Sequence, residues 1–141
     1  MQPLSNLFKI SSIIAMLGWA ILLFLPNWQY ADTVIKNGIA IILSVFYVYI
    51  LFFRKNIVGE KYPKGSFSDL EGVMNLFKNP KLVLGGWVHY LAFDLLIGLY
   101  IKTQANAIGM SHWLQIPCFL LAFMFGPAGY LLFFILQLLI A

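Results

Sequence analysis

Residues 82–101, Leu-Val-Leu-Gly-Gly-Trp-Val-His-Tyr-Leu-Ala-Phe-Asp-Leu-Leu-Ile-Gly-Leu-Tyr-Ile, decide the fold. Apart from His89 and Asp94 the run is apolar, aromatic or glycine. A helix needs roughly 20 mostly apolar residues to cross about 30 Å of hydrocarbon, where only its own carbonyls can satisfy its amides. This run meets that length. Asn79-Pro80-Lys81 precedes it and Lys102 follows it, so polar residues mark both ends.

Three further runs repeat the pattern. Residues 7–25 are stopped by Pro26, with Trp28 and Tyr30 placed for the headgroup level. Residues 34–53 end at Arg54-Lys55. Residues 113–140 are long enough to tilt, and carry Pro117 and Pro127, which remove backbone hydrogen bonds and kink a helix. The expected architecture is all-α, a four-helix transmembrane bundle forming one domain over 1–141. Its short outer loops, about 26–33 and 102–112, make the joined pairs antiparallel neighbours.

Composition agrees. Of 141 residues, 62% are hydrophobic and 10% charged, and the mean hydropathy is +0.88. Soluble domains run near 25% charged, so this balance belongs to another class. The formal net charge of +4 is concentrated rather than spread. Arg54, Lys55, Lys61, Lys64, Lys78 and Lys81 share one loop, Lys9 falls on its side, and only Lys36 and Lys102 oppose them. Such asymmetry sets membrane orientation and gives no reason to expect nucleic acid. It predicts a multi-pass integral membrane protein with both termini and the 54–81 loop in the cytoplasm. Lys9 ahead of an apolar run superficially resembles a signal peptide, but Pro26-Asn27-Trp28 is no small-residue cleavage site, which predicts a retained first helix.

The 54–81 loop has its own pattern. Ser68-Asp69-Leu70-Glu71 reads as a capping box, with Ser68 as N-cap and Glu71 reaching back. Leu70, Val73, Met74 and Phe77 then fall on one stripe. A short amphipathic helix over 69–78 is expected in the membrane interface, as a spacer sealing the bundle or a lid over a site.

Asp94 is the leading site candidate. An ionisable group at bilayer depth costs several kcal/mol, about 3 on insertion scales, and such groups face the bundle interior. Trp87, Tyr90, Asp94, Ile97 and Ile101 share one helical face, and the Tyr90 hydroxyl stands one turn from Asp94. The alternative is a structural Asp that ties helices together. His89, about 140° around the helix from Asp94, lies within reach of Glu71 and Asp69 on the interfacial helix, either for acid–base chemistry or to dock that helix. Phe125-Gly126-Pro127-Ala128-Gly129 offers close packing and a freed carbonyl. Cys118, the one cysteine, reads as a small apolar filler. No zinc spacing, phosphate loop, nucleophile elbow or dinucleotide fingerprint is present, so neither a metal nor another cofactor is expected.

Two blocks of sequence carry a likeness. One is Gly65-Ser-Phe-Ser-Asp-Leu-Glu-Gly-Val-Met, Asn79-Pro80 and Gly86-Trp-Val-His-Tyr-Leu-Ala-Phe-Asp94; the other is Pro117-Cys118, Phe125-Gly-Pro-Ala-Gly129 and Leu131-Leu132. In their order they resemble the abscisic-acid-deficient-four-like membrane proteins, whose plant members are needed for neoxanthin synthesis. The likeness covers about 64–139. It implies a membrane-embedded protein acting on a carotenoid or related isoprenoid, as a cofactor-free epoxide isomerase of the neoxanthin-synthase type. Asp94, His89 and Glu71 are then the catalytic candidates, and Trp87, Tyr90, Phe93, Gly126 and Pro127 the substrate-binding ones. The partners it implies are membrane lipid and an apolar small molecule, and so small a bundle leaves room for a homodimer. Two non-catalytic readings stand beside it: a small-amphiphile binding or transport protein, and a factor that assembles other membrane enzymes.

Overall fold

The apolar runs are helical in the computed structural model, which describes residues 2–53 and 62–140; no strand occurs among them. Arg54, Lys55 and Lys61, half of the basic residues counted for the central loop, lie outside the described residues.

Helix α1 spans Gln2–Phe24 and α2 spans Ala31–Phe53, the latter with π-helical turns at Val34–Ile39 and Tyr49–Phe53. The short helix expected in the central loop, α3, is Leu70–Leu76. Its cap is Asp69 and not Ser68: the Asp69 carboxylate accepts from the Gly72 amide at 2.7 Å, while the Ser68 hydroxyl pairs with that of Ser66 at 3.0 Å. Asp69 holds an extended backbone, and its negative charge suits the positive end of the helix. Asn79 ends the following turn and caps the next helix, accepting from the Lys81 amide at 3.0 Å, with Pro80 in the first turn where no amide is needed.

That next helix, α4, runs Pro80–Ala107 and outlasts its apolar core by more than a turn. It is the central element and packs on α1, α2 and both C-terminal helices. Along the α1 seam, Trp19 rests on Gly98 and Leu95 on Gly18. At one end the Lys102 ammonium, buried, meets the Asp32 carboxylate of α2 at 2.6 Å.

The expected fourth span over 113–140 is not one helix. It divides into α5, His112–Met124, and α6, Gly126–Ile140, with Phe125 between them at φ −143°, ψ 81°. Pro127 explains the site of the break, because it has no amide and suits a helix's first turn. The two halves then fold back on one another. Gly129 sits against the backbone of Ala122 and Cys118, where any side chain would collide with main chain. The start of α5 hydrogen-bonds the end of α1 through His112 Nε2 and the Leu23 carbonyl at 2.9 Å. Gly126 lies at Asp94, whereas Tyr130 lies against Tyr100, ring centroids 6.1 Å apart. Helix α6 therefore heads back toward the His112 end, parallel to α4. At about 1.5 Å per residue neither α5 nor α6 reaches 30 Å. Among the described residues three helices, α1, α2 and α4, are long and apolar enough to cross a membrane.

Candidate functional site

Asp94 lies midway along α4 and is 8% exposed. The α5–α6 break is packed directly on it. A helix that ends inside the protein leaves carbonyls without partners, and one that begins there leaves amides. Both needs are met from one face of α4. The Tyr90 hydroxyl lies 2.9 Å from the Phe123 carbonyl and 2.7 Å from that of Met124, capping the end of α5. The Asp94 carboxylate accepts from the Gly126 amide, at the positive end of α6, and stands beside the Tyr90 hydroxyl. Asp94 Oδ2 has no hydrogen-bond partner among the described residues. A carboxyl group and a phenol in contact form a pair able to take up and give back a proton.

Trp87, one turn below Tyr90, stacks on it at 5.3 Å between centroids and on Phe8 at 5.1 Å. Its indole nitrogen donates to the Ser12 hydroxyl at 3.0 Å. Trp87 also lines a cavity of about 600 Å³ between α1 and α4, with Leu4, Phe8, Lys78, Val83 and Leu84.

His89 and Phe93 belong to a different side of α4. The His89 ring is 5.7 Å from Tyr47 of α2 and 4.6 Å from Phe93. It lines a second cavity of about 600 Å³ with Tyr47, Phe52, Phe67 and Phe77, while Phe93 is exposed. Glu71 is exposed in the first turn of α3. The three residues expected to share acid–base chemistry are thus not gathered: five residues of helix turn His89 about 140° away from Asp94. Gly126 does meet Asp94, and Pro127 is exposed beside it.

Sequence reasoning placed Tyr90 beside Asp94 but missed the backbone carbonyls it caps. It also missed the Lys102–Asp32 pair, whose signal was two lone charges flanking apolar runs. The polar joint in which Gln115 Nε2 reaches Asn106 Oδ1 and the Met110 carbonyl, both at 2.9 Å, left no pattern at all. Among the described residues no three His, Cys, Asp or Glu are placed to hold a metal ion.

No curated protein and no solved structure matches the chain significantly. A family model, ABA DEFICIENT 4-like, matches residues 6–133, which takes in nearly all of α1, then α2, α3, α4 with Asp94, and the break on which Asp94 sits. On that match, covering nearly the whole length, the chain belongs to the ABA4-like family.

Proposed function

We propose that this is a neoxanthin-synthesis-related membrane protein that binds a carotenoid or related isoprenoid and rearranges it by acid–base chemistry at Asp94. The observation carrying the reading is one buried carboxyl, midway along a membrane-length helix, with an unpartnered oxygen and a phenol beside it. Family membership supplies the substrate class. Opening an epoxide to an allenic alcohol breaks one C–O bond, adds a proton to oxygen and removes one from a polyene carbon. The electrons balance within the substrate, so a proton donor and acceptor are the chemistry the protein must bring. Tyr90 and Asp94 are suited to those roles, with the Gly126 amide holding the carboxylate. His89 and Glu71 stand apart from this pair, and His89 belongs to the second cavity. The basic residues before α4 orient the chain with the N-terminus and α3 at the cytoplasmic face.

A second reading, retention without conversion, is favoured by one feature: backbone groups of α5 and α6 already engage Tyr90 and Asp94, as in a structural staple. Asp94→Asn keeps the size and removes the acid. Expressed in carotenoid-making cells, wild type should change the mass or isomer pattern of co-purifying carotenoid, and Asp94→Asn should lower that conversion about 100-fold or more. Conversion unchanged in Asp94→Asn removes the catalytic assignment, and enrichment of unaltered carotenoid by both proteins supports retention.

A further inference from the structure

The last carbonyls of a helix have no amide of their own helix to accept from. At the end of α5 the chain that follows rescues some of them and not others. The Leu121 carbonyl accepts from the Phe125 amide at 2.5 Å. The Phe123 carbonyl would take the amide four residues on, but that residue is Pro127, which has none. The Met124 carbonyl would take that of Ala128, which goes instead to the Phe125 carbonyl at 2.9 Å. Among the described residues the Phe123 and Met124 carbonyls are therefore left to the Tyr90 hydroxyl, at 2.9 and 2.7 Å. A phenol has a single hydrogen, and the Asp94 carboxylate stands beside the same hydroxyl. Two carbonyls and a carboxylate thus compete for that hydrogen. The carboxylate is also given the Gly126 amide, yet its Oδ2 has no partner among the described residues, in a side chain more than nine-tenths buried.

This cluster is rich in oxygen and short of positive charge. We propose that it is a binding site for one monovalent cation, sodium, held by Asp94, the Phe123 and Met124 carbonyls and the Tyr90 oxygen. Each carbonyl has two lone pairs, so accepting from Tyr90 does not exhaust it. The negative end of α5 adds its partial charge on the same side. In membrane proteins, broken helices commonly hold sodium through the carbonyls at the end of a half-helix. Charge and donor type select the class of ion. Calcium takes about six to eight oxygens and magnesium a near-ideal octahedron, demands that one carboxylate and two carbonyls do not meet. Transition metals prefer imidazole and thiolate, and among the described residues no three His, Cys, Asp or Glu gather to hold a metal. Size favours sodium over potassium, since Gly126 approaches the Asp94 carboxyl so closely that a Cβ there would collide with it. Trp19 of α1 packs edge-on against Phe123, ring centroids 5.7 Å apart, and steadies the end of α5 that carries the carbonyls. The Tyr90–Met124 hydrogen bond lies at the surface, which leaves the cluster open on one side. The site shares its carboxyl with the acid–base reading but does not require conversion. A cation and a proton are alternatives at Asp94, so sodium sets how much of the acid form is present.

The test uses the full chain purified in detergent, melted in sodium chloride and in N-methyl-D-glucamine chloride at equal ionic strength. Sodium should raise the melting temperature of wild type by about 5 °C, saturating in the range of roughly 1 to 10 mM, and potassium by less than half as much. Asp94→Asn should remove the shift, and Tyr90→Phe should weaken half-saturation about tenfold. Glu71→Gln, which neutralises an exposed carboxylate on α3, should keep it. Equal melting in the two salts, a shift that survives Asp94→Asn, or a shift lost as much in Glu71→Gln overturns the site. Should Asp94→Asn and Tyr90→Phe fail to fold, radioactive sodium on wild type decides alone. About one ion per chain, displaced by unlabelled sodium and not by N-methyl-D-glucamine, supports the site, and no displaceable ion overturns it. The cation and the acid–base role fail separately. A sodium shift lost in Asp94→Asn, with conversion insensitive to that substitution, leaves the cation site standing without the acid–base role. Melting blind to sodium, with conversion lost in Asp94→Asn, overturns the cation site and leaves the acid–base role.

Discussion

Lys102 and Asp94 are the two charged residues that α4 buries, and the protein answers each differently. Lys102 is paired side chain to side chain, with an Asp32 that stays more than half exposed. Asp94 is answered by a backbone amide and a phenol, with one oxygen left over. The asymmetry of the Lys102 pair makes a prediction. Asp32→Asn strands a buried ammonium without its counter-charge, whereas Lys102→Met removes the buried charge and leaves a solvated carboxylate. Thermal unfolding in detergent should show Asp32→Asn destabilised by about 2 kcal/mol or more and Lys102→Met by less than about 1 kcal/mol. Equal losses would mean that Lys102 reaches water by another route.

Among the elements, the α5–α6 pair depends on contact between two backbones. Gly129 is where they touch, so a side chain there must push the helices apart. Gly129→Val should lower stability by about 2 to 3 kcal/mol and loosen the break that Tyr90 caps. Gly38, in the first π-helical turn of α2, has open space on its missing side chain, and Gly38→Ala should be neutral or stabilise by up to about 1 kcal/mol. Melting temperatures of the two variants check this, and a tolerated Gly129→Val would show that the hairpin packs less closely than described. Helix α3 contrasts with that pair: Leu70 and Met74, with Phe77 just past its end, are exposed, and its start rests on the Asp69 cap.

At the scale of the molecule, α4 is the axle on which every other long helix packs, and it is the most buried of the three membrane-length helices. The outer surface is densely apolar: Phe24, Phe52, Phe53, Trp113, Phe125 and Leu139 are all exposed. In water such a surface far exceeds the few hundred Å² of contiguous apolar patch that soluble monomers tolerate. The protein should therefore stay with the membrane pellet through alkaline carbonate washing and be released only by detergent. Recovery in the carbonate supernatant would contradict the membrane assignment.

Hydropathy and local spacing are properties of the chain itself, and they were enough to determine the all-helical class, the three long helices, a short helix after residue 68, and the place of Asp94 midway along the last of the three long helices. Helical geometry also told in advance that Tyr90 neighbours Asp94 and that His89 does not. The cap of α3 was legible to within one residue, because Ser68 and Asp69 compete for the same amides and only the backbone angles choose between them. The fourth span was misread for a deeper reason. Residues 113–140 have the length and hydropathy of one tilted helix, and Pro127 is equally compatible with a kink and with a reversal. The choice lies in contacts between distant residues: Gly129 with Cys118, Tyr90 with the Phe123 and Met124 carbonyls, Asp94 with the Gly126 amide. No periodicity encodes those. Only the tertiary structure decided that the chain turns back, because burying two helix ends inside the protein is favourable solely where groups such as a hydroxyl and a carboxylate from another helix arrive to satisfy them.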